Sequence, residues 1–348
     1  MAYISFQPKD HFNTKLYTGN ATDDTAITGV GFQPDWLWGK NRTDSTNHYF
    51  IDAVRGVTKE INSNNTDVEG TDATLIKSFD SDGFTLGNGS LNQSSKDFVA
   101  WNWKANGQGS SNTDGSINTT YTSANTTSGF SISTYTGTGS AGTIGHGLGV
   151  APAMIIVKRL TGSAEAWTVY HQSLDASAPQ DKYLHLNSTD AVMDSAGMWN
   201  DTAPTTSVFS VGSTGVTNGS GGTFVAYCFA EKTGFSKFGS YVGNGNADGS
   251  FQYLGFKPAF VIIKGSSNTE NWHMYDNKRD TFNPTDQALQ PNTSSAEFTE
   301  TNVLDFLSNG FKLRVTGGGH NGSGVSYIYM AFSDQSIVSS NGVPATAR

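Results

Sequence analysis

The 348-residue sequence has a single cysteine, Cys228, so it can form no internal disulfide and no thiolate metal cluster. Stability must come from apolar cores. Charge is scarce as well: Asp, Glu, Lys and Arg make 15% of the residues, against about 25% in an average soluble protein. Lys and Arg number 21 against 30 Asp and Glu, a formal net charge of −9, and there is no basic run. Without clustered cations nothing neutralises phosphate, so neither nucleic acid nor an anionic membrane surface is an expected partner. No stretch approaches 18 consecutive apolar residues, which removes helical membrane insertion from the expectations. The opening Met1-Ala-Tyr-Ile-Ser-Phe-Gln-Pro8 lacks the basic and apolar regions of a secretion signal. Cytoplasmic synthesis and release by a route such as lysis are expected.

Glycine (40 residues) and aromatics (12%) are plentiful, a profile of strands and turns. A chain of this length also exceeds one ordinary core. Self-similarity organises it. Tyr17-Thr-Gly-Asn, Tyr135-Thr-Gly-Thr and Tyr241-Val-Gly-Asn are followed at constant spacing by Gly31, Gly149 and Gly255, by Pro34, Pro152 and Pro258, and by Lys40, Lys158 and Lys264. Later landmarks recur with small length changes. Trp272-His-Met-Tyr-Asp276 with Arg279 parallels His48-Tyr-Phe-Ile-Asp52 with Arg55, and Trp167-Thr-Val-Tyr170-His171 stands between them. Each copy closes on an aromatic strand ending at Trp103, Phe229 or Phe332. The segments are short, β-branched or aromatic, and bounded by Gly, Asn, Asp and Ser. The expected fold is all-β: three tandem antiparallel β-sandwich modules related by internal repeat. The expected boundaries are an amino-terminal docking segment (1–13), modules at 14–105, 130–232 and 233–334, a Gly/Ser/Asn/Thr-rich linker or hairpin at 106–129, and a carboxy-terminal tail (335–348). Any flexibility is expected near 106–129.

Sites of chemistry are weakly marked. Asp80-Ser-Asp82-Gly resembles the opening of a calcium loop, but the matching Leu307-Ser-Asn309-Gly310 has lost the carboxylates, so a hairpin turn is the better reading. Asp52 with Arg55, and Asp276 with Arg279, read as fold-determining ion pairs, which the copy containing His171 and Leu174 does without. The seven histidines show no metal-ligand spacing, and no nucleophile elbow or Walker pattern is present. No catalytic residue, metal or cofactor is therefore expected. Trp36, Trp38, Trp101 and Trp103 read as core. Trp199, in a loop-like stretch without a partner in the other copies, is the best candidate for an exposed contact; Tyr183 and His171 join it as candidate binding residues. Phe6, Pro8, His11 and Phe12 precede the repeat and are candidates for docking to a neighbouring subunit, together with Ser336 to Arg348.

The recurring signature, Tyr-x-Gly, then Gly-Phe-x-Pro with a strand ending in Lys, then Asp-Gly-Phe or Asn-Gly-Phe, then Phe224-Val-Ala-Tyr-Cys-Phe-Ala-Glu231, resembles the tandem β-module virion proteins of tailed bacteriophages, especially those of marine bacteria and cyanobacteria. The likeness runs from the first residues to Val343-Pro-Ala-Thr-Ala-Arg348. It implies a non-enzymatic virion surface protein, a tail fibre or appendage engaged in host attachment, with a head decoration protein and a polysaccharide-degrading tail enzyme as alternatives. Other virion proteins, a homo-oligomer such as a trimer, and a host-surface glycan are the partners it implies.

Overall fold

The computed structural model describes residues 6–335 and the short strands Ile337–Val338 and Pro344–Ala345. The expected tail at 335–348 and the first residues of the docking segment thus lie largely outside the described residues. The chain is all-β, and its only α-helices among the described residues are the four-residue turns α1 (Ala196–Trp199) and α2 (Gly215–Asn218).

The first group of strands is β1 (Phe12–Thr18), β2 (Thr25–Thr28), β3 (Trp36–Asn41), β4 (His48–Asp52), β5 (Lys59–Asn62), β6 (Gly70–Thr71), β7 (Ile76–Asp80), β8 (Gly83–Leu86) and β9 (Asp97–Trp103). It forms a sheet β1-β9-β3-β4-β5-β6 facing a sheet β2-β8-β7. The second comprises β10 (Thr119–Asn125), β11 (Phe130–Thr136), β12 (Gly142–Gly145), β13 (Met154–Arg159), β14 (Thr168–His171), β15 (Lys182–His185), β16 (Met193–Asp194), β17 (Val208–Val211) and β18 (Thr223–Phe229). Its sheets are β10-β11-β18-β13-β14-β15-β16 and β12-β17. The third comprises β19 (Ser236–Val242), β20 (Phe251–Tyr253), β21 (Phe260–Gly265), β22 (Trp272–Asp276), β23 (Thr285–Ala288), β24 (Phe298–Leu307), β25 (Gly310–Leu313) and β26 (Ser326–Phe332), in sheets β19-β26-β21-β22 and β20-β25-β24-β23. All named pairings are antiparallel.

Strands with one wet face alternate apolar and polar residues, whereas strands covered on both faces are apolar throughout. Every residue of β3, β14, β21 and β22 is buried, as are the last six of β9, β18 and β26. Two kinds of apolar cluster account for this. One face of the sheet that holds β3, β13 or β21 packs on the second sheet of its group: Leu37, Ile51 and Ala100 against Phe84 and Leu86 in the first group, for example. The opposite faces meet in one central cluster that joins Trp36, Trp101 and Trp103 to Tyr227 and Phe229 and to Phe260 and Phe332. Trp36 lies 4.8 Å from Tyr227 and 5.6 Å from Phe130, centroid to centroid, and Phe12 lies 5.3 Å from Phe332. The groups therefore share a core, whereas the sequence suggests modules in series.

The 106–129 stretch is tied down at both ends. Asp35 accepts from the backbone N–H of Ala105 and Gly107, and β10 pairs along β11 as the edge of the second large sheet. At the Asp82-Gly83 turn, a Cβ on Gly83 would stand 2.0 Å from the Ile27 carbonyl oxygen, and φ there is +149°, so the position requires glycine.

Removing Trp36 takes apolar contacts from two groups at once. Trp36→Ala is expected to cost about 3–5 kcal/mol. In urea denaturation its transition should remain single and coincide by tryptophan fluorescence and far-UV circular dichroism; a first group that melts ahead of the rest would contradict the shared core.

Candidate functional site

Strand ends buried among three sheets leave polar groups that water cannot reach, and side chains must satisfy them. Lys40, Lys158 and Lys264 are the next-to-last residues of β3, β13 and β21, strands in the middle of their sheets, and are fully buried. Each ammonium donates to backbone carbonyls, one of them in another group: Lys158 to Thr66 at 2.9 Å, Lys264 to Thr189 at 3.2 Å and Lys40 to Ser294 at 3.3 Å. Among the described residues no carboxylate lies within ion-pair reach of any of them. Burial lowers all three pKa values to about 8. Backbone bonds run beside them with donors and acceptors reversed between the groups: Glu69 N–H to Leu160, Val192 N–H to Ser266 and Glu297 N–H to Arg42. The indoles of Trp167 and Trp272 donate to the carbonyls of Asn62 and His185, again across groups.

The Asp–Arg pairs are nodes of this network. Asp52 and Arg55 lie 2.6 Å apart with Glu69 at 3.2 Å, and the Tyr227 hydroxyl of the second group donates to Asp52 at 2.8 Å. Asp276 and Arg279 lie 2.5 Å apart with Glu297 at 3.1 Å, and the Trp101 indole of the first group donates to Asp276 at 3.1 Å. In the second group His171 holds the acid's place. Its Nε2 bonds the Tyr329 carbonyl of the third group at 3.1 Å, and burial lowers its pKa to about 4, so it is neutral. Leu174 and Val192 pack there against the central cluster, in place of the guanidinium and the second acid.

The candidate contact residues are thus corrected. Trp199 is 2% exposed, because α1 turns it inward against Tyr170. Tyr183 is buried in the same cluster and His171 is at the shared core, so none of the three is a surface contact. Phe12 and Pro8 are buried too: Phe12 opens β1 opposite Trp103 and points into the central cluster, which removes it from any outer docking surface. Phe6 and His11 are half-buried, stacked 4.9 Å apart over Phe235 of the same chain. The aromatics that do face outward are others, Tyr253 (65% exposed), Phe251 and Phe282. The acids of the Asp80-Ser-Asp82 turn are engaged by protein donors, Asp80 by Ser78 and Thr85 and Asp82 by the N–H groups of Gly29 and Gly31.

One cluster of titratable groups lines a cleft of about 310 Å³ in the third group. His273 on β22, Glu300 on β24 and His320 in the turn before β26 converge there: His273 Nε2 is 3.5 Å from Glu300 Oε1, and His320 Nε2 is 3.5 Å from Oε2. The imidazoles lie 4.2 Å apart, centroid to centroid. Burial lowers the His273 pKa to about 4, pushes His320 well below its usual value and raises that of Glu300. The Tyr275 hydroxyl lies 2.7 Å from both Glu300 Oε2 and His320 Nε2. These residues are far apart in the chain and show no motif. The signal that could have found them is that histidine stands at His273 where the matching register positions of the other groups carry Tyr49 and Thr168.

A family model described as a domain of unknown function, DUF7483, matches residues 7–336. The chain belongs to that family. No curated protein and no solved structure matches it. The DUF7483 match spans all three groups of strands, so the unit it describes is the whole interlocked assembly and not one sandwich.

Two outcomes test the DUF7483 network. Arg55→Leu alone strands Asp52 in the core and is expected to cost about 3–5 kcal/mol, whereas Asp52→His/Arg55→Leu/Glu69→Val, which copies the second group, recovers most of that loss in denaturant melts. Lys158 supplies the other. Its folded pKa of about 8 lies below the usual 10.5, so between those values the unfolded chain holds a proton that the folded chain has released, and stability rises with pH. Compared with Lys158→Met, the wild type should therefore gain stability from pH 8 to 10 and show no relative change from pH 6 to 7.

Proposed function

We propose that this chain is a non-enzymatic structural protein of a tailed-phage virion, built as a threefold internal repeat of one β-sandwich module and carried on a tail appendage that contacts the host surface. The observation that carries the reading is the cyclic set of contacts. Aligned residues (Lys40, Lys158 and Lys264; Asp52, His171 and Asp276) occupy matching register positions and reach from each group to the next. Stiff sandwiches locked about a common core suit a part whose work is to hold and to touch. The loops between strands, rich in Ser, Thr, Asn and Gly, supply polar contacts to a glycan, with Tyr253 and Phe251 as outward aromatic anchors. The acids of the Asp–Arg nodes are spent on structure, which leaves them no part in hydrolysis.

The test is to weigh this polypeptide against the major capsid subunit in purified particles and to locate it by antibody labelling. Few copies, at the tail, are expected. Hundreds of copies on the head would replace the appendage with a decorating role, and absence from particles would end the virion reading. Incubation with host surface polysaccharide is expected to release no new reducing ends.

A further inference from the structure

The cleft of the third group has ligand chemistry that the scaffold does not ask for. The register that pairs Ile263 with His273 places Tyr49 and Thr168 at the matching positions of the other two large sheets. The carbonyl of His320 receives the Tyr241 hydroxyl, and the same bond is made by Tyr17 to Leu91 and by Tyr135 to Thr217. Tyr and Leu, or Thr and Thr, thus fill these two places equally well. Only the third group has two histidines there, and it turns a carboxylate toward both.

The two His–Glu approaches of 3.5 Å are too long for good hydrogen bonds. They match a different geometry: ligands on a tetrahedral ion with bonds of about 2.1 Å stand about 3.4 Å from one another. All three donor atoms lie within 4.8 Å of each other, so a small closure suffices. We propose that His273, Glu300 and His320 bind one divalent transition-metal ion of the zinc class, with the cleft supplying a water or a ligand oxygen as fourth donor. Two imidazole nitrogens and one carboxylate favour such an ion over calcium or magnesium, which take oxygen. Imidazole binds a metal in its neutral form, through a ring-nitrogen lone pair. Tyr275 has one proton to give. With the metal on His320 Nε2 it donates to Glu300 Oε2 and orients the carboxylate. The Gln290 amide, 3.2 Å from His273 Nε2, must turn aside.

This inference does not rest on the virion reading. The test uses the full chain stripped with a chelator. Titration calorimetry with zinc chloride is expected to give one site per chain, cobalt(II) to give the intense visible absorption of a tetrahedral centre, and zinc to raise the melting temperature. His273→Tyr and His320→Leu, which install the residues of the first group, should melt like the metal-free wild type and lose both the stoichiometric zinc heat and the zinc-dependent shift. Glu300→Gln should weaken binding by about tenfold or more, and it carries the test if a histidine variant fails to fold. Calcium should give no heat at the same concentrations. No zinc binding by the wild type, or undiminished binding in the folded variants, would overturn the proposal.

Discussion

Three sheets that are buried on both faces cannot each be finished by a single partner sheet, which covers one face only. Their second faces must find cover, and here they cover one another. The cluster of Trp36, Trp103, Tyr227, Phe229, Phe260 and Phe332 is the outcome, and much else follows from it. Because the central strands end inside protein, their terminal carbonyls and those of adjacent loops lose water, and the three buried lysines replace it. An ammonium serves there because it offers three donors on a long apolar stem. The cost is a charge held in a poor solvent, seen in the lowered pKa values of all three.

The same constraint explains how charge is spent. A protein with only 15% ionisable Asp, Glu, Lys and Arg still buries Asp52, Arg55, Asp276 and Arg279 at group boundaries. Removing one member of such a buried pair is costly, although an apolar set of similar volume can match the intact pair. His171, Leu174 and Val192 are that apolar alternative, with all three charged positions changed together. Each node also hydrogen-bonds a neighbouring group, so these residues fix which faces meet as well as how firmly.

Tyr253 and Phe251 face outward on β20, and the His273–Glu300–His320 cleft opens on the third group. The groups differ where the shared network does not constrain them. Where all three groups make the same contact, as at the hydroxyls of Tyr17, Tyr135 and Tyr241, the residue is the same.

How much could be read in advance depended on the range of the interaction. Strand character was legible because alternation, Pro152 before Met154 and the Asp-Gly and Asn-Gly turns are local signals, and the Asp–Arg pairs were legible because their partners are three residues apart. Trp199 was misread as exposed because its loop-like composition is a local feature, while its burial against Tyr170 comes from α1 folding back. Phe12 was misread as docking material for the same reason: its partners Trp103, Phe260 and Phe332 lie far along the chain. The sequence by itself determined an all-strand chain, without disulfides, carrying the same landmarks three times, since period, punctuation and composition act over a few residues. Only the tertiary structure decided that the sheets share one core, that three lysines end up dry, and that two distant histidines meet one glutamate. Which apolar faces cover each other is a competition among surfaces, settled by shape and by the polar groups each pairing leaves unsatisfied.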